Sequence, residues 1–309
     1  MKKTFTLLAA AFLAAAAVLT GCSAGSNKVM MQDGVNFKLM DVLKVTNPDT
    51  NAVYYYYLAQ VTNTSDSVYH MSTLTYYVSE ENRDHTQVTS IDKSQQLITN
   101  DLYKNQSTSV YGYVGFPNSK NNNYGIYFPN QKQFVSFNSV SVRNINDKDL
   151  KEAEGDKFTA YEDSSFAIEV DTSNMKYSYK DGNSKVEGLI ITYKNKTKNM
   201  LVVPYLTPVG KMEGLELKSL PDPDKLKSMS LEELKKQDFS QNGLAPKTTS
   251  IEGEAKGYQM YYLPAGISLP SNISIEFDGA IPDFSTPGGL SVVLKSAALG
   301  YSQTLKVKY

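Results

Sequence analysis

Short runs in which apolar and polar residues alternate, each closed by turn-forming residues, constrain this chain more than any other feature. Val35-Asn36-Phe37-Lys38-Leu39-Met40-Asp41-Val42 is one such run, and a period of two marks a strand with one face buried. Asn47-Pro48-Asp49-Thr50-Asn51 is turn chemistry. Residues 53–61 follow, with four successive tyrosines, Tyr54, Tyr55, Tyr56 and Tyr57. Side chains of a strand alternate between faces, so two are expected in the core and two facing solvent, a partner or a neighbouring strand. Asn63-Thr64-Ser65-Asp66-Ser67 reads as the next turn and residues 68–78 as the returning strand. Further strands are expected at 110–116, stopped by Pro117, and, after an asparagine-rich loop, at 124–128 and 134–142. No convincing amphipathic helix interrupts 35–142. Short strands at regular spacing with turns between them point to an antiparallel β-sandwich.

The pattern then repeats. Residues 144–156 are dense in charge and poor in apolar residues, a natural linker. Beyond it Phe166-Ala167-Ile168-Glu169-Val170 echoes the run from Phe37 to Val42, and Asn195-Lys196-Thr197 echoes Asn63-Thr64-Ser65. Gly257-Tyr258 through Tyr262-Leu263-Pro264 echoes Gly112-Tyr113 through Phe116-Pro117. The prolines are offset by more than the asparagines are, so the second copy holds an insertion between them. Its expected home is a surface helix near 229–238. There Ser230 and Glu233 form a capping box that satisfies free N–H groups at a helix start, and Glu232 and Lys236 form an i,i+4 pair. The expectation is an all-β chain of two tandem immunoglobulin-like antiparallel β-sandwich domains, 34–143 and 157–309, joined by 144–156, the second with an inserted helix.

No disulfide can brace either domain, because Cys22 is the only cysteine; stability has to come from packed apolar area. The surroundings of Cys22 indicate a location. Met1-Lys2-Lys3 is a cationic start, and residues 5–18 are an apolar, alanine-rich run broken only by Thr6. That run is too short to span a bilayer, which takes about 20 apolar residues, but it suits a secretion signal. It ends at Leu19-Thr20-Gly21-Cys22, which resembles the bacterial lipobox. The resemblance implies cleavage after residue 21, a diacylglycerol thioether on Cys22, and a protein held at the extracellular face of the cell membrane. Residues 22–33 are then a short flexible tether.

Removing Lys2 and Lys3 from the 31 basic residues leaves 29 against 32 acidic ones. Arg83 and Arg143 are the only arginines, so the forks suited to phosphate are scarce and nucleic acid is not an expected partner. The strand, Asn-x-(Ser/Thr) turn and strand of 35–78, with a later strand that ends near Phe116-Pro117, is similar to the immunoglobulin-like domain of unknown function found in lipoproteins of Gram-positive bacteria. It also resembles the fold of the secreted mycobacterial immunoprotective antigens. The resemblance implies fold and location, and carries no activity.

Candidate chemistry is sparse. His70 and His85 have no companions at metal-ligand spacing and read as ordinary surface or packed histidines. Asp222, Asp224 and the turn Asp181-Gly182-Asn183 offer oxygen atoms of the kind calcium takes, but their spacing matches no known calcium loop and favours turn and cap roles. No catalytic residue, metal or cofactor is expected. With 22 tyrosines and no tryptophan, an exposed tyrosine face drawn from Tyr54 to Tyr57, Tyr76, Tyr77, Tyr111 and Tyr113 is the one specific binding surface suggested. The expected function is that of a binding module anchored through its lipid, with an envelope protein or a cell-wall polymer as partner. The alternative is an envelope-acting hydrolase with its site at the domain junction.

Overall fold

The computed structural model describes residues 26–81, 101–116, 123–145, 149–239, 247–257, 262–286 and 288–308. The signal segment with Cys22, and His85, Arg83, Pro117 and the Asp147-Lys148 part of the linker, lie outside these residues. The fold is all-β, with two short α-helices among the described residues. The chain divides into two compact units. One comprises the chain through Val42 with Tyr57–Val114 and Lys120–Val142; the other comprises Leu43–Tyr56, Gly115–Ser119 and Arg143–Tyr309.

The strands described in the first half of the chain are β1 (Lys28–Gln32), β2 (Val35–Thr46), β3 (Val53–Asn63), β4 (Tyr69–His70), β5 (Tyr77–Glu80), β6 (Asp101–Leu102), β7 (Gln106–Phe116), β8 (Tyr124–Phe128), β9 (Gln133–Ser136) and β10 (Val142–Asn144). One sheet runs β1-β2-β3-β7, with β10 also on β2; a second runs β5-β8-β9; β4 and β6 form a small ladder. The alternation in β2 does what its period demands. Val35, Phe37 and Leu39 are buried, while Lys38 and Met40 are exposed. Phe37 meets Phe128 of the second sheet edge-on, with ring centroids 4.8 Å apart, and Tyr57 stacks on Phe137 at 5.8 Å. The core thus lies between two facing sheets, the sandwich-like arrangement in which side chains from both inner faces interdigitate.

The second half carries β11 (Lys157–Glu162), β12 (Phe166–Asp171), β13 (Lys176–Lys180), β14 (Asn183–Asn195), β15 (Leu201–Val202), β16 (Thr207–Glu216), β17 (Thr249–Lys256), β18 (Tyr262–Leu263), β19 (Ser268–Phe277), β20 (Ala280–Pro282), β21 (Leu290–Ser296) and β22 (Tyr301–Lys306). All but β15 and β18 form one curled sheet in the order β11-β12-β14-β19-β17-β16-β21-β22, with β13 on β14 and β20 on β16. The curl has a local cause. Residues 249–253 of β17 pair with β16, whereas residues 254–256 pair with β19, so one strand leaves one layer and enters the other. Gly210 and Gly253 face each other in that ladder. A Cβ on either would come within 2.5–2.7 Å of Ile275 Cγ2, so only glycine lets the layers fold this closely together. At the far side a parallel bridge between Lys176 and Lys308 joins the chain end to β13.

Leu43–Tyr56, the end of the β2–β3 hairpin, belongs to this second unit. Asn47 is buried there, its amide nitrogen donating to the Ala297 carbonyl, and a Cβ at Gly300 would strike Pro48.

Instead of one helix near 229–238, the described part of the insertion holds two, α1 (Pro223–Lys227) and α2 (Leu231–Leu234). The capping box forms as the sequence indicates: the Ser230 hydroxyl accepts from the Glu233 N–H, and the Ser230 N–H donates to the Glu233 carboxylate at 2.7 Å. The helix is too short for the i,i+4 pair, however. With Lys235 at its C-cap, Glu232 instead pairs with Lys235 at 2.9 Å.

Candidate functional site

The Asn-x-(Ser/Thr) turns prove to be buried clamps. Asn63 is fully buried and its amide nitrogen donates to the Ser67 and Leu102 carbonyls, at 2.7 and 2.8 Å. Its amide oxygen accepts the Ser65 N–H and hydroxyl, at 2.9 and 2.7 Å. Asn195 donates to the Asn199, Leu263 and Pro264 carbonyls and accepts the Thr197 N–H and hydroxyl. Each clamp ties the end of a long strand to a two-residue ladder, β4–β6 in one case and β15–β18 in the other.

This equivalence corrects the second alignment drawn from sequence. Leu263 faces Leu201 as Leu102 faces Tyr69, so Leu263 corresponds to Leu102 rather than to Phe116. The segment between clamp and ladder is therefore longer in the second copy than the spacing of the prolines suggests. Tyr258 and the three residues after it, part of the proposed echo, lie outside the described residues.

The tyrosine face is also corrected. Tyr55, Tyr56 and Tyr57 are all buried, Tyr54 is half-buried, and Tyr76 and Tyr111 are buried. The reason is the neighbouring strand. β7 carries glycines where β3 carries tyrosines, and a Cβ at Gly112 would lie 2.6 Å from the Tyr57 hydroxyl, one at Gly115 2.7 Å from Tyr54 Cε1. The rings lie over backbone that bare glycines expose, covering it as aromatic residues do in paired strands. Tyr77 is half-buried and Tyr113 alone of the set is exposed.

His70 stands on the β4–β6 ladder opposite Asp101, with Nδ1 2.6 Å from a carboxylate oxygen and a side chain 61% exposed. Among the described residues no group of three histidine, cysteine or acidic side chains converges closely enough to hold a metal ion. No helix among them is long and apolar enough to cross a membrane.

The feature with the most chemical character of its own among the described residues is a cavity of about 490 Å³ in the second unit. Its residues come from the insertion, from the strands beside it and from two Asp-Gly turns, one of them a hairpin. Asp181-Gly182 joins β13 to β14, with positive φ at both positions (51° and 82°), as a two-residue type I′ turn requires. Asp278-Gly279 joins β19 to β20, with Gly279 at φ 61°. Glu216 closes β16; Leu217, Lys218, Pro223 and Lys227 come from the insertion, and Ile251 comes from β17. The Leu217 N–H donates to the Gly279 carbonyl at 2.8 Å, and the Tyr179 hydroxyl donates to the Leu226 carbonyl at 3.1 Å. These bonds, with buried Leu226 and Leu234, fix the insertion against the strands.

The structure thus brings the Asp181 turn beside the insertion that carries Asp222 and Asp224, which the sequence keeps well apart. It does not make the acidic residues into a metal cage. Asp222 sits at the N-cap of α1 with φ 49°, but its side chain makes no cap hydrogen bond. Asp224 pairs with Lys227 at 2.9 Å, and that hydrogen bond and charge hold its carboxyl below the ordinary range. Lys218 pairs with Glu216 at 3.2 Å. Side-chain partners for the Asp181 and Asp278 carboxylates are lacking among the described residues. Sequence reasoning missed Glu216, Leu217, Lys218, Ile251 and Asp278; the one signal that could have found Asp278 is its Asp-Gly step, the same as at Asp181.

No protein-family model matches the chain, and no curated protein matches it.

Proposed function

We propose that this protein is a lipoprotein anchored at the extracellular face of the membrane through Cys22, where it works as a binding module of the cell envelope. The observation that carries the reading is Leu19-Thr20-Gly21-Cys22 at the end of an apolar run, followed by a short tether. Two acyl chains, at about 0.8 kcal/mol per buried CH₂, give firm attachment where one chain gives little. The first strand, β1 (Lys28–Gln32), already pairs with β2, so only residues 23–27 of the expected tether separate Cys22 from the folded part, a reach of roughly 20 Å at most, and the partner is sought close to the membrane, among envelope proteins or wall polymers. The finer reading, an immunoglobulin-like lipoprotein domain of the Gram-positive kind, belongs to the same proposal and rests on the Asn63 and Asn195 turns.

The experiment has two arms. Cells treated with an inhibitor of the lipoprotein signal peptidase should accumulate a slower-migrating precursor, and the lipidated protein captured from intact envelopes should bring a specific protein or polymer with it. Unchanged mobility overturns the anchoring, and a capture no different from a lipidated control protein overturns the binding role.

A further inference from the structure

We propose that the cavity between the two Asp-Gly turns and the inserted segment is a binding site for a small ligand that carries a primary ammonium group beside an apolar or neutral body. The inference rests on the binding-module reading and adds where and what the second unit binds.

Position is the first argument. The two copies share the asparagine clamp and the two-residue ladder that it holds, and the segment between clamp and ladder is longer in the second copy, 68 residues against 39. Half of the cavity wall comes from that longer segment: Glu216, Leu217, Lys218, Pro223, Lys227 and Ile251. A scaffold on which an added segment supplies half of a cavity wall is how sites are grafted onto folds. A volume of about 490 Å³ is in the range of small-molecule sites.

Charge is the second argument. Both lysines of the wall are already neutralised, Lys227 by Asp224 and Lys218 by Glu216. Asp181 and Asp278, one on each turn, lack such partners among the described residues, so the charge left to meet a ligand is negative. Anionic ligands are disfavoured there. A bare metal ion is disfavoured too, because among the described residues no three histidine, cysteine or acidic side chains come together to hold one. An ammonium group has three donors and needs no such convergence. Leu217, Pro223 and Ile251 supply the apolar wall for the rest of the ligand. At Gly279 an added Cβ would meet nothing within 4 Å, so the cavity is open beside the Asp278 turn.

The test uses the mature chain, labelled for NMR, and four probes: glucosamine, N-acetylglucosamine, the dipeptide Lys-Ala, and Lys-Ala acetylated at both amines. The expected result is saturable shifts at Gly182 and Gly279 with a free-amine probe, at least tenfold weaker binding for its acetylated counterpart, and weakening with salt. Which free-amine probe binds tells an amino sugar from a peptide. Asp181→Asn and Asp278→Asn should each lower affinity about tenfold, equivalent to about 1.4 kcal/mol. Both substitutions suit their turns, since Asn-Gly serves the Asp181 hairpin as well as Asp-Gly and Asn, like Asp, is a favoured turn residue at 278; an unchanged amide spectrum elsewhere checks that the fold is kept. Equal binding of free and acetylated probes, full affinity in both variants, or no saturable shift at millimolar ligand overturns the inference. If the capture from envelopes still succeeds in that last case, the binding-module reading stands without this site; if both fail, the two fall together.

Discussion

The side-chain amides of Asn63 and Asn195, one in each half of the chain, make the same set of hydrogen bonds. Each oxygen accepts the N–H and hydroxyl two residues on, and each nitrogen donates to the carbonyl four residues on and to a leucine carbonyl of a distant ladder strand. A buried polar group that satisfies several backbone atoms costs more to remove than it contributes net when present, because its partners are left unpaired. Asn63→Ala and Asn195→Ala should each destabilise by about 1–3 kcal/mol, with Asn195→Ala no milder since its amide serves three carbonyls. Asn→Asp at either site should not restore stability, because it removes the donor. Denaturant midpoints of the four variants check this.

Gly210 and Gly253 mark where the second sheet folds over Ile275 and Phe277. Alanine at either position should cost about 1–3 kcal/mol by overpacking. Gly279→Ala, although at positive φ, meets no atom within 4 Å, so its cost should be confined to backbone strain, about 1 kcal/mol. Thermal melts of the three variants give the comparison.

Ser230→Ala removes the hydroxyl that accepts the Glu233 N–H and one half of the capping box. The expected loss is about 1 kcal/mol, felt locally because α2 is a single turn. Hydrogen exchange should speed up at Leu234 and Lys235, whose amides bond back to Ser230 and Leu231, with exchange in β14 and β19 unchanged.

Asp171 provides a pH test. Hydrogen bonds from Lys157 and from the Ser173 hydroxyl and N–H lower its carboxyl to about 2. Because the folded value lies below the unfolded one, about 3.9, its contribution is present above pH 4 and is lost as pH falls from about 4 to 2. NMR titration of the Asp171 carboxyl should show the low midpoint, and Lys157→Met should move it up toward the ordinary range. A midpoint near 3.9 in the unaltered protein would remove Asp171 from the acid response.

Much of the fold was legible because its signals are local. The period of two in 35–42 and the turn at 47–51 need nothing beyond neighbours in the chain, and neither does the capping box at Ser230. The asparagine turns were legible as turns. Their role as clamps was not, since the Leu102 and Leu263 carbonyls arrive from 39 and 68 residues away. The tyrosines misled for the same reason. Alternation along β3 fixes which face each ring takes, but whether that face is covered depends on Gly112 and Gly115 of β7, far along the chain. The cavity is assembled from two turns and an insertion that are distant in sequence, so Asp181 was visible as an oxygen donor while its companion Asp278 was not.

The most direct measurement is the intact mass of the mature protein extracted from native membranes. The account predicts a chain that starts at Cys22 and carries a diacylglycerol thioether, with all of the signal segment removed. A chain of unmodified mass with a free thiol at Cys22, recovered from the culture fluid, would contradict it.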